Sequence, residues 1–415
     1  MSAPRHLLLT DLKPLAQLGV DGVVGATDLT QAMHDRIAGG AGRIARLVYG
    51  SIRAIARLAG VTAEVAISAL PERTATSTPE RERVVAALNG VLGDRLVETD
   101  NALALPMRLR LEGAARDAPF TPPGDGASGR LLLMVHGLCL DDTSWPQPSG
   151  LARELGYTPV YVHYNSGRHI STNGRELARL LEELVRGWPV PVEELSILAH
   201  SMGGLVARSA CHAAVEQKLS WPRALRRVVF LGTPHQGAPL ERLGSFVHAA
   251  LGAAGHTAPL ARLGGLRSAG ITDLRHGSLL DADWQGRDRF ARNSERPRPV
   301  PLPAGVACFA IAASRRARPA GVTDRLVGDG LVPVPSALGD DGDPARSLGF
   351  AADRRWIAQR TSHLQLLRSA EVAAQVRSWL AAPLPAAGKR RAGPRGLRSA
   401  RAQRGGVASG LAPAD

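Results

Sequence analysis

Cysteine is almost missing from this chain. Cys139, Cys211 and Cys308 stand far apart, a spacing that excludes a disulfide framework and offers no metal-ligand pattern. The scarcity fits a reducing compartment. No apolar run approaches the ~20 residues of a membrane span. Leu7-Leu8-Leu9 is broken at once by Asp11 and Lys13, too short an apolar stretch for a signal peptide. A cytoplasmic location is therefore expected. Internal repeats are absent. Aromatic residues make up 4%, and lysine occurs only at Lys13, Lys218 and Lys389 among 51 basic side chains. An arginine and alanine bias of this kind fits a GC-rich genome as well as it fits selection for an anionic partner.

What is present is ordinary for a globular protein: 415 residues, 44% hydrophobic and 21% charged, enough for one to three domains. The net charge of +14 is partly local. Lys389, Arg390, Arg391, Arg395, Arg398, Arg401 and Arg404 have no acidic neighbour until Asp415. Residues 383–415 bury too little apolar surface to fold, so a disordered basic tail is expected. Peripheral contact with an anionic membrane is the functional reading of that tail. A solvated tail is the default, and nucleic acid is not the expected partner.

Along the chain, residues 1–95 read as a helical N-terminal extension. One helix is expected from Thr27-Asp28 to Ile37, another carries Ile44, Leu47, Val48, Ile52, Ile55 and Leu58 at helical spacing, and a third starts at Thr78-Pro79 and ends near Gly93. Leu103–Leu111 alternates loosely, as first strands would. From Arg130 onward buried strands are expected at Leu131–Val135, Pro159–Val162, Leu195–Leu198, Val228–Leu231, Val306–Ala312 and Arg355–Ala358, with helices at Arg175–Val185, Leu205–Val215 and Glu371–Leu380. Strands alternating with helices indicate an α/β fold with a mostly parallel central sheet. Residues 235–300 have the position and length of a cap insertion, so a single α/β domain is expected to span 103–382.

Ala199-His200-Ser201-Met202-Gly203-Gly204 follows a buried strand and precedes a helix. A serine at such a tight apex, between small residues, is a nucleophile elbow: the turn is strained and the side chain projects above the sheet. His136-Gly137-Leu138 follows the first buried strand, so the backbone N–H groups of Leu138 and Met202 are the expected oxyanion donors. Asp329, between Gly328 and Gly330, lies beyond the Val306–Ala312 strand and is the expected acid; Asp324 is the alternative. His363, the last of 12 histidines, is the expected base. The order Ser201, Asp329, His363 suits a nucleophile–acid–base relay. His136 and His200 are expected to pack into the fold, and His235 to sit in a structural turn. Asp340, Asp341 and Asp343 read as a solvated acidic loop, with calcium as the lesser reading. No cofactor or metal is expected.

Val135-His136-Gly137-Leu138, the Ser201 elbow, Gly232-Thr233-Pro234-His235-Gln236-Gly237-Ala238-Pro239 and Gly328-Asp329-Gly330-Leu331-Val332-Pro333 together resemble the lipase/esterase branch of the α/β-hydrolases. They are similar to bacterial triacylglycerol lipases and to GPI inositol-deacylase-like proteins. Ala199 stands where a glycine is commoner. The resemblance implies an α/β-hydrolase fold, a carboxylic ester substrate of lipid or small acyl type, and Ser201, Asp329 and His363 as nucleophile, acid and base. Two alternatives remain open: an acyltransferase or thioesterase using the same residues, and a basic binding protein built on an inactive hydrolase fold.

Overall fold

A computed structural model describes residues 11–37, 78–112, 119–124, 127–145, 148–239, 268–287, 296–317 and 327–383, with 51, 54 and 56–58. Most of the expected helix over 44–58, the middle of the expected cap, Asp324 and the basic tail lie outside the described residues. No helix among those described is long and apolar enough to cross a membrane.

Seven strands form one sheet: β1 (Arg108–Leu111), β2 (Arg130–Val135), β3 (Thr158–His163), β4 (Glu194–His200), β5 (Leu225–Leu231), β6 (Ala307–Ala313) and β7 (Arg355–Ala358). Their spatial order is β1-β3-β2-β4-β5-β6-β7. Only β1 runs antiparallel to its neighbour; the other pairs are parallel. With a sharp strand-to-helix turn after central β4, this is the α/β-hydrolase fold.

Alternation along each strand divides the core in two, because successive side chains point to opposite faces. Leu131, Leu133 and Val135 of β2 join Leu195, Ile197 and Ala199 of β4 on one face. Leu132, Met134 and Leu198 face the other way. Burial on both faces explains why the strands read as unbroken apolar runs. The first face is covered by α4 (Ile170–Gly187) and α5 (Met202–Glu216). The second is covered by α3 (Pro148–Glu154) and α7 (Ala370–Ala381).

Two helices precede the sheet. α1 runs unbroken over Leu12–Ile37, so the start expected at Thr27-Asp28 is corrected to Leu12. Pro14 sits in its first turn, where a missing N–H leaves no intrahelical bond unmade. α1 is tied to the second helix by Arg81 Nε donating to Asp11 Oδ2 at 2.7 Å. α2 spans Pro79–Glu98 and is capped by Thr78, whose hydroxyl accepts from Arg81 N at 3.2 Å. It continues past Gly93, the expected end. Gly93 marks a crossing instead: Asn165 Nδ2 donates to its carbonyl at 2.9 Å. α2 buries Leu88, Val91, Leu92 and Leu96 in the same cluster as the sheet's first face.

α4 begins at Ile170, five residues before the expected Arg175. Its first N–H is held by Asp273 Oδ2 at 2.9 Å, and Asp273 belongs to α6 (Ala269–His276). The described part of the expected cap is stapled here: Trp284 stacks on His169 at 3.7 Å and its Nε1 donates to Ser171 Oγ at 2.9 Å. α4 and α5 touch closely where Gly174 faces Ser209; a Cβ at 174 would fall 2.3 Å from Ser209 Oγ. Gly174→Ala should therefore destabilise the fold by about 1–3 kcal/mol through overpacking. A lower urea midpoint with an unchanged slope would record it.

Candidate active site

Helix α5 starts directly after Ser201, and the turn is set by steric room. A Cβ on Gly203 would fall 2.4 Å from the carbonyl oxygens of both Val135 and His136. Only glycine lets α5 descend onto the end of β2. The chain therefore reverses at Ser201 with φ 54° and ψ −126°, a conformation that costs of order 1–3 kcal/mol in a non-glycine residue. Hydrogen bonds fix it: Ser201 N donates to Leu231 O at 2.8 Å and Gly204 N to Ser201 O at 3.0 Å. Ser201 is fully buried, and its Oγ finds no hydrogen-bond partner among the described residues.

Asp329 and His363 meet. His363 Nδ1 donates to Asp329 Oδ2 at 2.7 Å, between side chains that are almost wholly buried. Asp329 Oδ1 accepts the N–H groups of Leu331 at 2.9 Å and Val332 at 2.8 Å. The Gly328–Gly330 turn that makes this geometry has positive φ at both glycines. Both carboxylate oxygens are thereby engaged, and the proton on Nδ1 leaves Nε2 as the basic nitrogen.

The imidazole lies beside His200, the residue before Ser201, and beside Gly232 at the end of β5. The His200 and His363 rings are 4.8 Å apart between centroids. A Cβ on Gly232, the residue after Leu231, would lie 3.2 Å from His363 Cε1 and Nδ1. Serine and imidazole share one patch of the sheet's carboxyl edge without a hydrogen bond from the hydroxyl.

The 136–142 loop passes over the same patch. A Cβ on Gly137 would sit 3.0 Å from Ser201 Cβ. The Leu138 N–H has no backbone acceptor among the described residues, and Met202, as the first residue of α5, has none within its helix. Tyr164 stacks on the His136 ring at 4.3 Å and donates its hydroxyl to His136 O at 2.8 Å. Ser166 Oγ accepts Cys139 N at 3.1 Å. The Tyr164-Asn165-Ser166 support escaped sequence reasoning; its signal was a polar triplet following a buried strand. So did the role of His200, whose Nε2 donates to His363 O at 3.1 Å and fixes that residue's backbone.

The remaining candidates are structural. His235 is buried, with Arg208 Nη1 donating to its Nδ1 at 3.3 Å. Asp340, Asp341 and Asp343 do not face one ion: Asp340 pairs with Arg355, Asp341 with Arg296, and Asp343 accepts Ala345 N. No cluster suited to a metal occurs among the described residues. Burial depresses the His200 imidazole well below its ordinary value and lowers His136 from 6.5 to about 4. An unfolded chain protonates residue 136 below 6.5, the folded chain only below about 4, so stability falls as pH drops through that window. The loss for this ring is on the order of 3 kcal/mol. His136→Asn keeps a donor toward Gly137 O, and its urea midpoint should fall less than the wild type's between about pH 7 and pH 4.

The family model described as Domain of unknown function (DUF7379) matches residues 111–253, about a third of the chain. No curated protein matches it. Among solved structures, the mature lipase BlEst2 of Bacillus licheniformis is 17% identical, over 66% of this chain and 98% of that one, with a TM-score of 0.40. A hyperthermophilic esterase from the archaeon Pyrobaculum calidifontis is 13% identical, over 77% and 96%, with a TM-score of 0.39. Lipase B of Aspergillus fumigatus is 11% identical, over 67% and 56%, with a TM-score of 0.38. The fold assignment rests on strand order and on the turn at Ser201, not on these likenesses.

Proposed function

We propose that this chain is a serine hydrolase of carboxylic esters, working through an acyl-enzyme. The observation that carries the reading is the buried Asp329–His363 pair, 2.7 Å long, set beside a serine held at positive φ. A strained nucleophile and an oriented imidazole on one sheet edge have a direct chemical use.

His363 Nε2 takes the Ser201 proton as Oγ attacks the ester carbonyl carbon, and the carbonyl π pair moves onto oxygen. The Leu138 and Met202 N–H groups donate to that oxyanion, a contribution of about 3–4 kcal/mol for each donor. Asp329 keeps the proton on Nδ1 and offsets the imidazolium charge. Collapse of the tetrahedral adduct breaks the C–O bond to the alcohol, which departs with the proton from His363. Water, deprotonated by His363, then attacks the acyl-serine; the acid leaves and Ser201 regains its proton. The serine hydroxyl meets Nε2 only as substrate binds, since such contacts tighten in the Michaelis complex. A lipid or small acyl ester is the substrate class.

Ser201→Ala and His363→Ala should each lower kcat on a short-chain nitrophenyl ester by ~10⁴-fold or more, with folding intact by circular dichroism. Asp329→Asn should lower it comparably by fixing the wrong tautomer. A fluorophosphonate probe should modify Ser201 alone, mapped by mass spectrometry. Turnover that survives Ser201→Ala sinks the reading.

A further inference from the structure

The oxyanion loop meets α2, a helix more than forty residues upstream, at three places. Gly90 lies flat against Cys139: a Cβ at position 90 would fall 2.3 Å from Cys139 Sγ, 2.8 Å from its N and 2.9 Å from its Cα. Arg110 Nη1 bridges Glu82 of α2 to Asp142, donating to Glu82 Oε2 and Asp142 Oδ1 at 3.0 Å each. Arg83 Nε donates to Thr143 Oγ1 at 3.4 Å. Cys139, next to Leu138, is held at φ 59°, a conformation that a cysteine does not adopt without support. α2 is itself fixed from outside, since Ser268 Oγ donates to Gly90 O at 2.7 Å and Asp94 Oδ2 accepts Ala269 N at 2.9 Å.

We infer that α2 is a working part of the reaction centre, with Gly90 as a positioning residue that aims the Leu138 N–H by seating Cys139. This rests on the hydrolase reading above. An N–H that must stay available for a developing oxyanion cannot be fixed by its own hydrogen bond, so its direction depends on the neighbouring residue. Any side chain at position 90 lifts Cys139 off the helix and turns the donor away, and a displacement near 1 Å at a reacting centre costs on the order of 10²-fold in rate.

The test is Gly90→Ala in the full-length enzyme, with kcat expressed per site labelled to completion by fluorophosphonate. Expected are a fall of ~10- to 100-fold in kcat per site, KM within about twofold, and a parallel loss of affinity for a trifluoromethyl ketone that mimics the tetrahedral adduct. Adding Cys139→Gly, which removes the sulfur and accepts positive φ, should restore most of the loss. Unchanged kcat per site, or a fall in the number of labelled sites alone, would make Gly90 a packing residue and overturn the inference. If Gly90→Ala does not fold, Glu82→Gln decides: a several-fold drop in kcat per site supports the inference, and no drop overturns it. A wild-type enzyme that neither labels nor turns over ester removes the hydrolase reading together with this one. A wild type that does both, with indifferent variants, removes this one alone.

Discussion

Everything at the candidate centre depends on how closely α5 approaches the end of β2. At Gly203 the two backbones leave no room for a side chain, a Cβ there falling 2.4 Å from two carbonyl oxygens. That approach forces Ser201 into its positive-φ turn. It also brings the start of α5, with its unbonded N–H groups, alongside the 136–142 loop. The Ser201 turn and the free N–H groups at the start of α5 are therefore placed by one packing contact rather than by separate devices. The strain is offset locally by two hydrogen bonds through the Ser201 backbone and by the apolar burial of β4 and α5 on either side.

Several histidines crowd this edge, and their surroundings separate them. His136 and His200 are buried and bonded to carbonyl oxygens, at Gly137 and at His363. Burial holds both neutral, which suits rings that fix backbone. His363 is bonded to a carboxylate instead, that of Asp329. His163 and His169 also touch carboxylates, Asp142 and Asp273. Asp142 is shared with Arg110, and Asp273 caps Ile170. His163 ends β3, which β2 separates from β4, the strand that leads to Ser201. Among the described histidines, His363 alone both bonds a carboxylate and packs against His200, the residue before Ser201.

The sequence made the sheet legible because its strands are buried on both faces. Leu131–Val135 and Val228–Leu231 read as continuous apolar runs, and those runs order the loops that carry Ser201, Asp329 and His363. Helix boundaries were less legible. α1 starts at Leu12 because tertiary contact through Asp11 outweighs Gly19, Gly22 and Gly25, which discourage helix locally. α4 starts at Ile170 because Asp273, about a hundred residues away, completes its first turn. Gly93 reads as a stop from the sequence, yet it is a contact. The partnership of His200 with the His363 carbonyl, and of Gly90 with Cys139, leaves no periodic trace. Each joins residues distant in sequence through a single atom pair or a missing methyl group.

The loop between β2 and α3 is held largely by residues outside itself. A loop rigid through its own hydrogen bonds would have spent the N–H groups that a developing anion needs. A loop without support would lose its aim. The remaining solution is to fix such a loop by side chains and surfaces from elsewhere: Tyr164 under His136, Ser166 on Cys139 N, α2 against Cys139 and Asp142. Three of these supports come from parts of the chain that carry no reacting group. Their requirement is geometric, and it is met by a phenol, a hydroxyl and a glycine together with the Arg110 bridge between Glu82 and Asp142. The helical segment before the sheet is thereby bound to the shape of one turn, and its residues are constrained where they touch that turn and free to vary where they do not.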